Sequence, residues 1–238
     1  MLRRWTERAF SFVAGRVPSQ CAVCRAWPAQ PVCDACVARF APPVPRCATC
    51  ALPVVAGVVQ CGECVRHPPP LDACIAACTY AWPWPGRVAE FKFRGEAGLA
   101  GPLATLLRSA PWVEPAVEQA DIVLPMPQAP ARLRERGFNQ AHELARRLAP
   151  RLTDATLLIR TRETPAQSSL SRAERLRNLQ GAFALEPLRP DAVRDRRVVL
   201  VDDVMTTGAS LFAAAQVLKA GGAAHVTAVV LARTDPPA

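Results

Sequence analysis

The sequence predicts an α/β protein in which a parallel sheet follows a small cysteine-rich module. After residue 70, short apolar segments typical of buried strands alternate with longer segments of helical periodicity. Before residue 70, eight of the ten cysteines form four C-x-x-C pairs in a segment with too few large apolar residues for its own core. These observations predict one medium-sized domain with an N-terminal module.

Residues 1–18 are predicted to form a short amphipathic helix. Glu7 and Arg8 interrupt its apolar stretch and no small-residue cleavage site follows, so an export signal is not indicated. No apolar run approaches the ~18 residues that span a bilayer. We therefore expect a soluble, cytoplasmic protein whose thiols stay reduced and bind metal. Apolar side chains recur at helical spacing at Leu2, Trp5, Ala9, Phe12 and Val13.

The cysteine-rich module, residues 19–67, has the ligand count for two tetrahedral zinc sites of four thiolates each. Four successive C-x-x-C pairs with short gaps favour structural zinc over a redox site. Gaps of 8 and 10 residues between pairs are shorter than the roughly 15 to 20 usual for a zinc ribbon, so spacing leaves interleaved pairing open. We favour the sequential arrangement, with one site for each half of the module. The predicted ligands are Cys21, Cys24, Cys33 and Cys36, then Cys47, Cys50, Cys61 and Cys64.

Three prolines, Pro68 to Pro70, mark a linker before a domain predicted to span residues 71–238. Its first strand is expected at Ile75–Trp82, with Cys74 and Cys78 as buried thiols. A basic turn is expected at Phe91–Gly95. The remaining predicted elements are a helix at Leu99–Arg108, a strand at Asp121–Leu124, a helix from Asn139 towards Pro150, strands at Thr156–Arg160 and Arg196–Asp202, a helix at Gly208–Ala220 and a strand at His225–Ala232.

The strongest functional signal is the segment at residues 199–210, Val-Leu-Val-Asp-Asp-Val-Met-Thr-Thr-Gly-Ala-Ser. A turn that opens a helix directs backbone N–H groups at a phosphate, and the helix dipole favours that charge. Asp202 and Asp203 can accept hydrogen bonds from ribose hydroxyls, directly or through magnesium. A Walker loop is excluded because G-x-x-x-x-G-K-[ST] is absent. The predicted contacts to a sugar phosphate are Val204, Met205, Thr206, Thr207, Gly208, Ala209 and Ser210.

This segment resembles the phosphoribosyl pyrophosphate motif of type I phosphoribosyltransferases. Almost the whole chain resembles the ComF family, which joins a cysteine-rich segment to such a domain. The resemblance implies a parallel-sheet type I phosphoribosyltransferase fold with an N-terminal zinc-ribbon module, and phosphoribosyl pyrophosphate and magnesium as ligands. The other matching segments are Lys92-Phe93-x-Gly95, Pro125-Met126-Pro127, Arg136-Gly137-Phe138-Asn139-Gln140 and the segment from Gln167 to Leu179.

The resemblance also implies roles for basic residues and for two loops. The Leu124 to Pro130 loop, including Pro125, Met126 and Pro127, would contact the leaving pyrophosphate through backbone N–H groups. Residues 160–179 would form a lid that brings Arg172 and Arg175 onto the pyrophosphate, although a solvated helix face is the alternative for these arginines. Lys92 and Arg136 would also bind the substrate.

One segment departs from the family pattern. Relatives usually carry His and Arg after the Pro-x-Pro of this loop, whereas this chain has Gln128, Ala129 and Pro130. Proline also lacks a backbone N–H donor. We therefore expect weaker contacts to the pyrophosphate, which bear on turnover more than on ligand binding.

Three functions fit these observations. The first is transfer of a phosphoribosyl group to an acceptor that the sequence does not indicate. The second is handling of single-stranded DNA or of DNA-uptake proteins, because ComF relatives are associated with competence and the net charge is +9, with eleven arginines against five acids in residues 132–177. The third is a structural protein with a regulatory or vestigial ligand site. Trp82 and Trp84 could stack on bases, but packing in the core or an interface is favoured.

Overall fold

The structure is a computed structural model that describes residues 19–93, 96–162 and 181–235. The predicted N-terminal helix at residues 1–18 lies outside the described residues. So does most of the predicted lid, including Arg172 and Arg175. In the part of the chain that is described, no helix has the length and apolar character needed to cross a membrane.

A sheet of four parallel strands forms the centre of the molecule, in the spatial order β1-β6-β5-β2. Two short strands, β3 and β4, form a separate antiparallel pair. The strands are β1 Ala73–Thr79, β2 Ile122–Pro125, β3 Leu158–Arg160, β4 Phe183–Leu185, β5 Arg197–Met205 and β6 His225–Arg233.

Helices surround this sheet, and the predicted helix after Asn139 shows why they form. Its apolar residues recur at i, i+3, i+4 and i+7, and the Asn139 side chain accepts the N–H of His142 at 3.2 Å as an N-cap. A 3₁₀ turn at Ala97–Leu99 precedes the fourth helix. The helices are α1 Asp34–Phe40, α2 Gly62–Arg66, α3 Trp84–Phe93, α4 Ala100–Ser109, α5 Val113–Glu118, α6 Pro130–Arg136, α7 Gln140–Leu148 and α8 Ala209–Ala220.

The central strands are apolar on both faces, as expected for a parallel sheet covered on both sides. In β5, Val198 and Leu200 enter one core layer, whereas Val199 and Val201 enter the other. Helix α8 packs in the first layer with the second half of the cysteine module. Helices α4 and α7 pack in the second layer with the first half of that module. The cysteine module therefore contributes to the core on both faces of the sheet.

The predicted basic turn at Phe91–Gly95 was wrong for its described residues. Phe91, Lys92 and Phe93 form the last turn of helix α3, because Val88 and Phe91 bury one face of this helix. The segment Thr156–Arg160 also differs from expectation, since its strand β3 pairs antiparallel with β4 instead of joining the parallel sheet. Strand β5 continues three residues past Asp202, because Val204 and Met205 pair with Ala232 and Arg233 of β6.

The thiols outside the C-x-x-C pairs are buried as predicted. Cys74 is 5% exposed and Cys78 is 1% exposed, and burial raises the pKa of each thiol to about 12. The two tryptophans beside Pro83 differ in their exposure to solvent. Trp84 is buried in the core, whereas Trp82 is 73% exposed and packs edge-on against Phe40.

Candidate functional site

The two acids of the main motif lie at the carboxyl end of β5, next to a cation from helix α3. Asp203 is buried, and its Oδ2 lies 2.8 Å from Nζ of Lys92. Its Oδ1 accepts the N–H of Val204 at 2.6 Å, and Asp202 Oδ1 accepts the N–H of Asp203 at 2.9 Å. The structure therefore brings Lys92 together with Asp202 and Asp203, which lie 110 and 111 residues further along the sequence.

Asp202 is the acid whose charge is less well compensated. Burial and the neighbouring Asp203 together raise the pKa of its carboxyl to about 7, although Lys92 opposes both effects. A ligand that brings a cation or hydrogen-bond donors would stabilise the ionised form. The pair also supplies the carboxylate oxygens that magnesium prefers.

The turn after β5 places small and hydroxyl residues at the start of helix α8. Gly208 has φ of 82°, and a Cβ there would lie 2.4 Å from the Met205 side chain and 2.7 Å from the Phe212 ring. Only glycine fits this position without displacing buried neighbours. Thr207 Oγ1 accepts the N–H of Ala209 at 3.4 Å, while Thr206 is exposed. The turn thus presents backbone N–H groups and hydroxyls beside the acids.

Some predicted contact residues in this turn can act only through the backbone. The side chains of Met205 and Ala209 are buried in the core layer that contains helix α8. Val204 packs partly into the opposite layer. Ser210 is half-buried in the first turn of helix α8. The prediction from sequence did not separate core residues from surface residues within this segment.

Arg233, the last residue of β6, lies under the turn and was missed by sequence reasoning. Its side chain donates to the carbonyl of Met205 at 3.1 Å and to the carbonyl of Thr206. It also donates to the carbonyl of Cys50 at 2.9 Å. The only sequence signal for this role is a basic residue at the end of an apolar strand.

The predicted pyrophosphate loop follows β2, the strand beside β5. Pro125 ends β2, and the N–H of Met126 donates to the carbonyl of Val201 at 2.9 Å. The Asn139 amide donates to the carbonyl of Met126 at 3.0 Å, while Pro127 is half-buried. Helix α6 then begins at Pro130, so this loop runs along the same sheet edge as the acid pair.

A buried polar cluster connects this loop to Arg136. Gln140 is fully buried, and its Oε1 accepts hydrogen bonds from Gln128 Nε2 and from an Arg136 terminal nitrogen, the latter at 3.2 Å. The guanidinium carbon of Arg136 lies 5.0 Å from the centre of the Phe93 ring. Among the described residues, Gln128 Oε1, Arg136 Nε and Gln140 Nε2 are buried without a hydrogen-bond partner. Gln128, which departs from the family pattern, is therefore part of the support for Arg136.

The cysteines form two clusters in the predicted sequential arrangement. Within each cluster, all four Sγ atoms lie within 4.8 Å of one another. The Sγ atoms of Cys24 and Cys33 are 3.7 Å apart, as are those of Cys50 and Cys61. Four thiolates about 2.3 Å from a tetrahedral zinc would be about 3.8 Å apart. The residues present therefore fit zinc. The first cluster is Cys21, Cys24, Cys33 and Cys36, and the second is Cys47, Cys50, Cys61 and Cys64.

Backbone donors favour thiolate at the first cysteine of each cluster. Burial would raise the pKa of Cys21, but N–H groups that include those of Cys33 and Val23, each 3.4 Å from its Sγ, lower the pKa to about 6. At Cys47, backbone N–H groups likewise outweigh burial and lower the pKa to about 7. Ionised sulfur is the form that binds metal.

The two halves of the cysteine module contact different elements of the sheet domain. In the first half, the carbonyl of Ala22 accepts from Arg87 at 3.1 Å, and that of Phe40 accepts from Trp84 at 2.6 Å. Arg87 and Trp84 belong to helix α3, which carries Lys92. In the second half, Arg233 joins the carbonyl of Cys50 to that of Met205 in the turn after β5.

Comparison with known proteins agrees with this architecture. The phosphoribosyl transferase domain family matches residues 133–237. The DNA utilization protein YhgH of Salmonella typhimurium is 33% identical over 92% of this chain and 98% of its own. Competence protein F of Haemophilus influenzae is 31% identical over 73% of this chain and 78% of its own. Competence protein ComFC of Bacillus subtilis is 32% identical over 62% of this chain and 58% of its own.

Three independent observations support the resemblance seen in the sequence: these relatives, the phosphoribosyl transferase domain and the two four-cysteine clusters. The relative from Salmonella typhimurium extends the match over both the cysteine module and the sheet domain. The chain belongs to the ComF family.

Proposed function

We propose that this protein binds phosphoribosyl pyrophosphate with magnesium at the carboxyl end of β5 and transfers the phosphoribosyl group to an acceptor. The observation that carries this proposal is the joint placement of the Asp202–Asp203 pair and the turn closed by Gly208. The acids are suited to the ribose hydroxyls, and the N–H groups and hydroxyls of the turn are suited to the 5′-phosphate. Acids for the ribose hydroxyls beside one phosphate-binding turn suit a ribose 5-phosphate better than a nucleoside triphosphate.

In the proposed reaction, the bond between C1 of the ribose and the pyrophosphate oxygen breaks, and both bonding electrons leave with the pyrophosphate. Positive charge then develops on C1 and the ring oxygen, and the acceptor supplies the electron pair for the new bond. Asp202 and Asp203 would hold the ribose in position, while Lys92 and Arg136 would hold the anionic side of the ligand. Positioning and charge stabilisation are therefore the main contributions of this chain.

Magnesium, when bound, would supply positive charge to the anionic ligand. The oxygen atoms suited to hold it are those of Asp202 and Asp203. The loop after β2 would lie against the pyrophosphate, but not through the N–H groups of its first three residues, because that of Met126 donates to Val201 and Pro125 and Pro127 have none. The predicted contribution of Arg172 and Arg175 remains part of this proposal.

The test is calorimetric titration of phosphoribosyl pyrophosphate into the full chain, with and without magnesium. Magnesium-dependent binding is expected for the wild type, and the Asp202→Asn/Asp203→Asn double variant is expected to lose it. Circular dichroism and zinc content verify that the double variant is folded. Absence of binding by the folded wild type would overturn the proposal and leave DNA handling as the better function.

We further propose that the protein acts in the cytoplasm in DNA uptake or use, as the names of its relatives suggest for those proteins. Single-stranded DNA is the proposed partner, because Trp82 of the sheet domain is largely exposed beside Phe40 of the cysteine module, and Arg39 lies over the Phe40 ring. Fluorescence anisotropy with labelled oligonucleotides tests this second function. The affinity for the oligonucleotide should fall steeply with salt concentration and should be lower in Trp82→Ala. Weak binding that does not depend on salt would exclude this second function.

A further inference from the structure

Arg233 occupies an unusual position between the second cysteine cluster and the candidate phosphate turn. Its side chain is buried, with 4% of the residue exposed. Nε donates to the carbonyl of Cys50 at 2.9 Å, and one terminal nitrogen donates to the carbonyls of Met205 and Thr206. The same nitrogen donates to the carbonyl of Thr234 at 2.7 Å. One guanidinium therefore joins a metal-ligand residue to the turn.

The orientation of the turn follows from these bonds. In a planar trans peptide, the carbonyl and the N–H point in opposite directions. Arg233 draws the carbonyls of Met205 and Thr206 into the protein, so the N–H groups in the same peptide planes, those of Thr206 and Thr207, point away from Arg233. These N–H groups belong to the turn proposed to bind the 5′-phosphate. Arg233 thus orients the N–H groups of Thr206 and Thr207 without contacting the proposed ligand itself.

The carbonyl of Cys50, which accepts from Arg233 Nε, is positioned by the second cluster. Cys50 Sγ is one of its four sulfur atoms, and the carbonyl of Cys50 belongs to the same knuckle. The next residue, Ala51, is fully buried with φ of 55°, and its N–H donates to the carbonyl of Cys47 at 2.8 Å. Metal bound by Cys47 and Cys50 would hold this knuckle, and with it the acceptor for Arg233.

We infer that Arg233 is a positioning residue that couples metal binding at the second cysteine cluster to ligand binding at the turn after β5. This inference rests on the proposed function. Because binding free energies are reciprocal, zinc in the second cluster strengthens ligand binding, and the ligand slows zinc loss from that cluster. The first cluster contacts helix α3 through Arg87 and Trp84 and is outside this path.

The substitution that isolates this role is Arg233→Lys. Lysine keeps the positive charge, but its single ammonium lacks the planar fork that reaches Cys50 and Thr206 together. The matched control is Arg87→Lys, which changes the equivalent arginine contact to the first cluster at Ala22. Cys50→Ser and Cys24→Ser provide a second pair, in which each variant weakens one cluster.

Two readouts are measured on each full-length protein. One is the dissociation constant for phosphoribosyl pyrophosphate with magnesium, and the other is the rate of zinc release to a chromogenic chelator with and without that ligand. In the wild type, the ligand is expected to slow release of one of two zinc ions several-fold. Arg233→Lys and Cys50→Ser are expected to weaken ligand binding about tenfold. Arg233→Lys should also abolish the ligand effect on zinc release, whereas Arg87→Lys and Cys24→Ser should retain it.

Hydrogen exchange separates this inference from the proposed function. Zinc removal from the second cluster should increase exchange of the Thr206 to Ala209 amides in the wild type, even without ligand, and should change it little in Arg233→Lys. If the wild type binds no phosphoribosyl pyrophosphate but shows this exchange difference, the proposed function fails and the coupling stands. If the wild type binds the ligand and Arg233→Lys matches it in affinity, zinc protection and exchange, the coupling is overturned and the function stands.

Discussion

Lys92 and Asp203 form an ion pair of 2.8 Å at the candidate ligand site, and both side chains are largely withdrawn from solvent. Lys92 comes from helix α3, which packs on the first cysteine cluster, and Asp203 comes from the central strand β5. This pair gives the acid a counterion before a ligand arrives. Its placement makes helix α3 a part of the site, which the expected turn at residues 91–95 did not predict.

We expect Lys92→Met to weaken binding of phosphoribosyl pyrophosphate about tenfold or more and to destabilise the protein by about 2 kcal/mol. The variant leaves a buried carboxylate without its cation. Isothermal titration and urea denaturation measure the two effects. The control is Lys219→Met, which breaks a 2.7 Å pair with Asp72 away from the site and should leave ligand affinity unchanged. Equal affinities for Lys92→Met and wild type would contradict a role for Lys92 in binding.

Gly208→Ala is expected to distort the turn after β5. The new Cβ would collide with the Phe212 ring and with Met205, and the backbone φ is in the left-handed region, so a cost of about 1–3 kcal/mol is expected. Ligand affinity should fall with stability. Gly222→Ala is the control, because φ there is also positive but the nearest atom lies 3.4 Å away. Comparable losses in thermal stability and ligand affinity for the two variants would argue against a special role for Gly208.

Gln140→Leu tests the buried polar cluster. Leucine matches glutamine in size but removes the acceptor used by Arg136 and Gln128, so about 1–3 kcal/mol of stability should be lost. Arg136 would lose its fixed orientation, and the affinity for pyrophosphate should decrease more than the affinity for ribose 5-phosphate. Gln119→Leu, at an exposed contact with Arg197, is the control. If the affinities for pyrophosphate and for ribose 5-phosphate fall equally, the polar cluster contributes to folding and not to pyrophosphate binding.

Metal analysis tests the assignment of the two clusters. The purified protein is expected to contain two zinc ions per chain by inductively coupled plasma mass spectrometry. Cys36→Ser should lower the occupancy to about one ion, because each cluster is complete within one half of the module. Cys74→Ser is the control, since this buried thiol belongs to neither cluster. Loss of both ions in Cys36→Ser would contradict independent sites.

Stability is expected to depend on pH through Asp154. Burial opposes ionisation of this carboxyl, but hydrogen bonds from Arg189 and Thr156 lower its pKa to about 2. A carboxyl whose pKa is lower in the folded than in the unfolded state stabilises the fold above its unfolded pKa of about 4. That contribution is lost as pH falls from about 5 towards 2.

The measurement is the midpoint of thermal unfolding for the wild type and Arg189→Met across this range. The wild type should be more stable at pH 6, and the difference should shrink as the solution is acidified. Because zinc loss in acid affects both proteins, the difference between them reports the contacts of Arg189, of which the pair with Asp154 at 2.7 Å is closer than the pair with Glu186 at 3.6 Å. A difference that stays constant from pH 6 to pH 2 would show that ionisation of Asp154 does not underlie the effect of Arg189 on stability.

Local patterns were sufficient for much of this protein. The apolar run before Asp202, the N-cap at Asn139 and the four C-x-x-C pairs each depend on neighbours within a few residues, and each was predicted from the sequence. The family followed from short motifs for the same reason. Boundaries were less well predicted, because β5 extends to Met205 only through pairing with β6.

From local sequence patterns we predicted the α/β class, the family, the cysteine ligand set and the segment proposed to bind the ligand. The folded chain was needed to show that Lys92 faces Asp203, that Gln140 supports Arg136, and that Arg233 joins Cys50 to the turn after β5. These contacts join elements that are far apart in the chain. Their geometry is set by strand order and by packing on both faces of the sheet, which local periodicity and motif spacing do not specify.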